Sequence, residues 1–236
     1  MADQADPFAV IIPAAGQSIR FGTGRSKLLE ELAGEPVVRR TVRAFLQRPD
    51  IKSVVIAAPT ESADALRTAV GEHAEDDRVR FCAGGATRAE SVRHALREIP
   101  TDLRWIAVHD AARPLVSQQL IGRTFDAARR YGAAVPALPV SVTIKEAQGP
   151  LPAKVLRTVP RQTLWAMQTP QAMRRDALES AYAKCPLPLE LITDDVQLLE
   201  LAGFEVWLVE GEEGNLKITT RADLRVAGLM LGDVHS

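Results

Sequence analysis

Short, continuous apolar runs alternate with helical apolar stripes through most of the chain. Val10-Ile11-Ile12 fits a buried strand that stops at Pro13. Glu35 to Arg48 places Val37, Val38, Thr41, Val42, Phe45 and Leu46 at helical spacing, with Pro36 suited to a first helical turn. Ile51 to Ala58 reads as a buried strand stopped by Pro59, Glu61 to Glu72 as an amphipathic helix, and Arg78 to Ala83 as a short strand running into Gly84-Gly85. Thr87 to Ile99 is helical by pattern, with Thr87 and Glu90 at capping-box spacing. Trp105-Ile106-Ala107-Val108 is the next strand, ending in His109-Asp110-Ala111-Ala112-Arg113-Pro114.

The second half departs from this alternation. Ser117 to Tyr131 reads as a helix and Ala133 to Leu138 as a strand, but Pro139 to Gln171 is rich in proline and β-branched residues, with a turn at Gly149-Pro150. A long hairpin leaving the body is the natural reading, and with little core to cover it, it is expected to pack on another subunit. Arg175 to Lys184 is helical, as is Asp194 to Ala202 with Thr193 as N-cap, followed by a strand at Glu205 to Val209 and a closing helix from Asp223 to Leu231. Strands alternating with helices predict an α/β fold: a three-layer α/β/α sandwich on a mostly parallel twisted sheet, plus a protruding β-hairpin dimerisation arm at about 139–171. Ligands in such folds sit at the carboxyl ends of the strands, where Gly16 to Lys27, Gly84 to Ser91 and Asp110 to Arg113 should converge.

Composition narrows the picture. A chain of 236 residues, 46% apolar, can bury a substantial core and suits one domain spanning 1–236. Lys+Arg of 29 against Asp+Glu of 30 gives a net charge of −1, so nothing global draws the chain to nucleic acid or a membrane surface. Cys82 and Cys185 form neither a disulfide framework nor a zinc knuckle. An acidic start at Met1 to Asp6, and no apolar run near the roughly 18 residues of a membrane span, predict a soluble, cytoplasmic protein.

The candidate chemistry begins at the loop after the first strand, Ala14-Ala15-Gly16-Gln17-Ser18-Ile19-Arg20-Phe21-Gly22, followed by Ser26-Lys27-Leu28-Leu29. Small residues let a ligand approach the main chain, and Arg20, Arg25 and Lys27 attract negative charge, so the loop reads as a phosphate cradle rather than a mere tight connection. It fits neither G-x-x-x-x-G-K-[ST] nor the dinucleotide G-x-G-x-x-G, because Ser18 and Phe21 replace the second and third glycines. No G-x-S-x-G accompanies His109, and His73, His94, His109 and His235 are too scattered for a metal site. His109 is better read as structural, and Asp110 as the functional candidate. Thr193-Asp194-Asp195 suits a cation site or a capped helix equally, and Lys217 alternates with apolar neighbours on an expected strand.

In order along the chain, Ile12-Pro13-Ala14-Ala15-Gly16 with Arg20 and Lys27, Gly84-Gly85 with Arg88 and Ser91, Val108 to Pro114, Gln168-Thr169-Pro170-Gln171, Thr193-Asp194-Asp195 and Asn215-Leu216-Lys217-Ile218-Thr219 resemble the motifs of the 2-C-methyl-D-erythritol 4-phosphate cytidylyltransferase family. The likeness runs from about residue 8 to about 231. It implies CTP and a polyol phosphate as substrates, Mg²⁺ held mainly by the CTP phosphates with no protein metal site, and a homodimer formed through the arm. It further implies that Pro13, Ala14, Ala15, Gly16, Gly85 and Ser91 hold cytosine and ribose, and that Asp110 faces ribose and acceptor hydroxyls. Arg20 and Lys27 would grip the triphosphate, and Lys217 would reach the α-phosphate. Arg113 and Thr193 would line the acceptor pocket, and the arm would bring Thr143, Lys145 and Arg161, with Thr143 and Arg161 meeting the acceptor's phosphate across the dimer. The sequence departs from the family pattern at Ser18, Ile19, Ser26, Leu28 and Ala86, the last leaving base selectivity to backbone groups. Competing readings are a cytidylyltransferase for another polyol phosphate such as ribitol 5-phosphate and a silent nucleotide-binding regulator, which would have no use for the cations.

Overall fold

The computed structural model describes residues 6–16, 21 and 26–232. Its centre is one sheet built from β1 (Phe8–Pro13), β4 (Ile51–Ala58), β5 (Val79–Ala83), β6 (Trp105–Val108), β7 (Ala133–Pro139), β10 (Trp165–Met167), β11 (Gln171–Arg174) and β12 (Trp207–Glu210). The spatial order is β10-β7-β11-β6-β1-β4-β5, with β12 also on β7. Pairings of β1 with β4 and β6, β4 with β5, and β12 with β7 are parallel. Those of β10 with β7 and β11 with β6 and β7 are antiparallel.

The alternation of side chains along the strands explains the layers. Phe8, Val10 and Ile12 join a core with helices α1 (Val37–Leu46), α2 (Ala63–Val70) and α4 (Gln118–Tyr131), whereas Ala9 and Ile11 point the other way, into a core with α3 (Arg88–Glu98), α5 (Arg175–Lys184) and α6 (Asp195–Leu201). Helix α7 (Arg221–Gly232) contributes Ala227 to the first core. Both faces of the central strands are therefore buried, as their near-continuous apolar runs require. Among the described residues, no helix is long and apolar enough to cross a membrane.

Several elements differ from expectation. Pro36 is not in a helical turn: Glu35–Pro36 forms β3, paired antiparallel with β2 (Glu31–Leu32), and Pro36, at ψ 140, stands at the position just before α1 without a capping side-chain bond. Within 139–171, only β8 (Ile144–Gln148) and β9 (Lys154–Val159) form a separate two-stranded hairpin, while β10 and the start of β11 return to the main sheet. The buried Gln171-Ala172-Met173 run could pair between β6 and β7, which gives it more to bury than an outlying arm could. Asn215 to Thr219 is an irregular connection rather than a strand: its one backbone–backbone hydrogen bond to a distant segment among the described residues runs from Ile218 N to Ala112 O at 2.8 Å, too few for a ladder.

Candidate active site

The carboxyl ends of β1, β4, β5 and β6 open into a crevice of about 480 Å³. Its walls include Pro13 to Gly16, Lys27, Pro59 to Glu61, Gly84 to Arg88, Ser91, Asp110 to Ala112 and Lys217. The structure thus brings together Pro13, Ala14, Ala15, Gly16, Lys27, Gly85, Ser91, Asp110 and Lys217, all expected from sequence. Arg20 lies outside the described residues, as do Ser18 and Ile19.

The first wall is set by strand ends. Ala14 N donates to Ala57 O at 2.8 Å and Gly84 N to Ala58 O at 2.7 Å, so those two N–H groups belong to the sheet. Among the described residues, Ala15 and Gly16 have no such backbone bond, and a Cβ on Gly16 would meet nothing within 4 Å. Gly84 and Gly85 are glycines for a different reason. A Cβ on Gly84 would come within 2.3 Å of Ala15 Cβ, and one on Gly85 within 2.3 Å of Glu90 Cβ, so packing against their neighbours demands them. Ser91 is committed to the same loop: its hydroxyl donates to Thr87 O at 2.9 Å and accepts from Gly85 N at 3.0 Å. The Thr87–Glu90 capping box forms as its spacing predicts and puts Arg88 in the first turn of α3, facing the crevice. Ser26, at a departure from the family pattern, caps the short 3-10 turn Lys27–Leu29 that carries Lys27, with its hydroxyl accepting from Leu28 N at 3.4 Å.

Asp110 is the electrostatic centre. Its Oδ2 lies 2.9 Å from Lys217 Nζ and 3.4 Å from Arg113 Nε, and its Oδ1 lies 3.4 Å from Arg88 Nε. Burial disfavours its charge, but Arg88, Lys217 and Arg113 outweigh that and hold its pKa well below the usual carboxylate value. It is therefore a fixed carboxylate, fit to accept hydrogen bonds and unfit to act as a general base near neutral pH. Beneath it, His109 is fully buried against the Phe45 ring, with Nε2 3.1 Å from Arg113 O and Nδ1 3.0 Å from Thr169 Oγ1. Burial lowers its pKa to about 4, so it is neutral, and this network assigns its proton to Nε2. His109 is structural, as the sequence suggested.

Lys217 is positioned through its neighbours. Arg113 Nη1 donates to Asn215 O at 2.7 Å, Asn215 Nδ2 donates to Thr169 O at 2.8 Å, and Ile218 N donates to Ala112 O, so both flanks of Lys217 are pinned to the loop after β6. Arg113 is buried within this scaffold rather than lining the crevice. Gln168 and Gln171 serve similar ends: Gln168 bonds both the N–H and the carbonyl of Glu212, and Gln171 Oε1 accepts from Asp195 N and Val196 N.

The remaining candidates lie elsewhere in the subunit. Thr193 is exposed and does not cap α6: Asp194 does, accepting from Gln197 N at 2.8 Å, because its carboxylate reaches that N–H while Thr193 Oγ1 turns to Gln197 Oε1. Thr143 and Arg161 are exposed at the base of the β8–β9 hairpin, Arg161 donating to Ser141 O, and neither reaches the crevice of its own subunit. Pro59 to Glu61 in the crevice wall carried no expectation from sequence, and Thr169 and Arg88 belonged to family motifs without a role of their own. The abrupt stop of the strand at Pro59 was the available signal for the first of these.

A model of the family described as 2-C-methyl-D-erythritol 4-phosphate cytidylyltransferase matches residues 8–233. A protein of that name from Symbiobacterium thermophilum is 42% identical over 225 residues, covering 95% of this chain and 93% of its own length. A bifunctional relative from Desulfotalea psychrophila is 37% identical over 93% of this chain, which spans only 55% of that longer protein. Among solved structures, the Thermus thermophilus enzyme of the same name superposes with a TM-score of 0.76 at 35% identity, covering 95% of this chain and 98% of that one. The 4-diphosphocytidyl-2C-methyl-D-erythritol synthase of Anaerococcus prevotii superposes at 0.81 with 27% identity, covering 96% and 99%. A match that spans the sheet, the crevice loops and the Lys217 segment together places this chain in the 2-C-methyl-D-erythritol 4-phosphate cytidylyltransferase family.

Proposed function

We propose that the chain transfers CMP from CTP to 2-C-methyl-D-erythritol 4-phosphate, releasing pyrophosphate and forming 4-diphosphocytidyl-2-C-methyl-D-erythritol for isoprenoid precursor synthesis. The observation that carries this reading is the convergence of the Pro13–Gly16 backbone, Lys27, Asp110 and Lys217 on one crevice in a chain of this family.

An oxygen of the acceptor phosphate attacks the α-phosphorus of CTP. The bond to the bridging β-phosphate oxygen breaks, and pyrophosphate leaves with the electron pair. A phosphate monoester with a second pKa of about 6 is largely a dianion at neutral pH, so no general base is needed. The difficulty is the approach of two anions, and cations with oriented N–H groups aimed at the developing charge are the remedy. Lys27 and Lys217 supply that charge with Arg20, while the N–H groups of Ala15 and Gly16 remain for the nucleotide. Asp110, an acceptor held in place, suits ribose hydroxyls. Mg²⁺ suits the phosphates of CTP rather than Asp110, whose carboxylate already faces three cations. Held there, it would supply charge neutralisation of part of the triphosphate.

The acceptor phosphate would be met by Thr143 and Arg161 of a second subunit. What supports this is the hairpin itself: Val142, Leu151, Val155 and Leu156 are exposed by 63, 89, 52 and 52%, an apolar surface a lone two-stranded hairpin does not bury. In this reading 1–236 act as one nucleotidyltransferase domain, with Arg113 acting from the buried scaffold that holds Asp110 and the Lys217 segment. Cys82 and Cys185 are free thiols, which fits a reducing compartment such as the cytoplasm.

Incubation with CTP, Mg²⁺ and either 2-C-methyl-D-erythritol 4-phosphate or ribitol 5-phosphate, followed by pyrophosphate release, tests the assignment. Turnover with the first acceptor is expected. Turnover with ribitol 5-phosphate alone would reassign the acceptor, and none with either would end the reading.

A further inference from the structure

Asp195, the first residue of α6, lines no part of the crevice and is completely buried. Its Oδ2 accepts a 2.6 Å charge-assisted hydrogen bond from Arg88 Nη1, but its Oδ1 is buried with no hydrogen-bond partner among the described residues. Burial pushes the Asp195 carboxyl pKa up, against the pull of Arg88. A half-satisfied carboxylate in the core weakens a fold rather than strengthening it. Stability is therefore a poor reason for it.

The same guanidinium explains more. Burial opposes its charge, but Asp195 and Asp110 together raise the Arg88 pKa, so it stays protonated between two carboxylates. It holds the buried one closely and Asp110 Oδ1 at the longer distance of 3.4 Å. Arginine's planar fork is suited to bidentate pairing with a single carboxylate, yet here it is divided between two.

We propose that Arg88 and Asp195 are a positioning pair for Asp110. Asp195 anchors the guanidinium beside the Asp110 carboxylate instead of across it, leaving acceptor positions on Asp110 open to the ribose hydroxyls of the nucleotide. Without the anchor's charge, the fork closes on Asp110 and occupies those positions. This inference rests on the CTP reading above.

Calorimetric titration of the full chain with Mg²⁺ and CTP, using wild type, Asp195→Asn, Asp110→Asn and the double variant, tests it. Asp195→Asn keeps the shape of the side chain and should weaken CTP binding by about tenfold, the effect of one impaired hydrogen bond to a charged group. In the Asp110→Asn background the same change should do nothing further, because the pair acts through Asp110. Equal losses in both backgrounds, or no loss in the first, would overturn the proposal. A merely structural pair would lower the melting temperature and leave the affinity of folded protein independent of background. If Asp195→Asn fails to fold, Asp195→Ser, which also removes the anchor's charge and leaves the Arg88 fork in place, replaces it in the cycle with the same expectation. Absence of CTP binding by wild type would instead defeat the nucleotide reading, and this inference with it.

Discussion

Lys217 sits against Asp110 at 2.9 Å with its side chain 39% exposed, so part of its ammonium still faces the crevice. An ammonium carries three donors, and the ion pair uses one, leaving the others for a phosphate oxygen. Lys217→Ala should lower kcat by on the order of 10²-fold, as for loss of a transition-state donor, with little loss of fold. Steady-state kinetics on the folded variant decides the point, and near-normal turnover would remove Lys217 from the chemistry. His109 makes a prediction of a different kind. Its folded pKa of about 4 lies below the value it regains on unfolding, so the unfolded chain takes up a proton that the native state refuses. The contribution is intact above about pH 6.5 and is lost as the pH falls toward 4, by up to roughly 3 kcal/mol. Denaturant unfolding at pH 7 and 4.5 should show a smaller acid penalty for His109→Gln than for wild type; equal penalties would contradict the buried neutral ring.

Two glycines in the crevice wall carry opposite expectations at the scale of the loop. Gly84→Ala would force a Cβ to within 2.3 Å of Ala15 Cβ, and relief must move the β1 loop or the β5 loop. A loss of about 1–3 kcal/mol is expected, typical of overpacking. Gly16→Ala meets nothing within 4 Å among the described residues, so stability should stay within about 0.5 kcal/mol of wild type while CTP affinity falls, since the new methyl group stands where the ligand approaches. Paired thermal melts and CTP titrations would distinguish the two, and a stability loss at Gly16 to match that at Gly84 would contradict the assignment. At this scale much of the fold was legible in the sequence. Val10 to Pro13, Ile51 to Ala58 and Trp105 to Val108 are apolar runs bounded by turn residues, and periodicity alone identifies them. The insertion of β11 between β6 and β7 was not legible, because a four-residue strand has no period of its own and its place depends on partners far away in sequence. Lys217 looked like a strand residue because Leu216 and Ile218 alternate around it; tertiary hydrogen bonds, not a ladder, hold that segment in place. Arg88 and Asp195 were visible as motif residues but their pairing was not, because two helix starts 107 positions apart are brought face to face only by the fold.

Across the whole molecule, the crevice and the hairpin are the two features that must be joined. The crevice lies at the carboxyl ends of the parallel strands, while Thr143 and Arg161 stand away from it on the hairpin side. If a partner's hairpin completes each site, a Lys27→Ala chain and an Arg161→Ala chain should each be impaired alone, yet mixing them should restore activity in heterodimers that carry one intact composite site. Heterodimers that form without recovery would show that the site is not shared. The proposed chemistry runs in one direction: the acceptor's phosphate attacks the α-phosphorus of CTP in the crevice around Asp110 and Lys217. The most direct measurement uses 2-C-methyl-D-erythritol 4-phosphate labelled with ¹⁸O in its phosphate, with mass analysis of both products. All the label should stay in the diphosphate-linked product, including its bridging oxygen, and the pyrophosphate should be unlabelled. Label in the pyrophosphate, or a product lacking the labelled bridge, would contradict it.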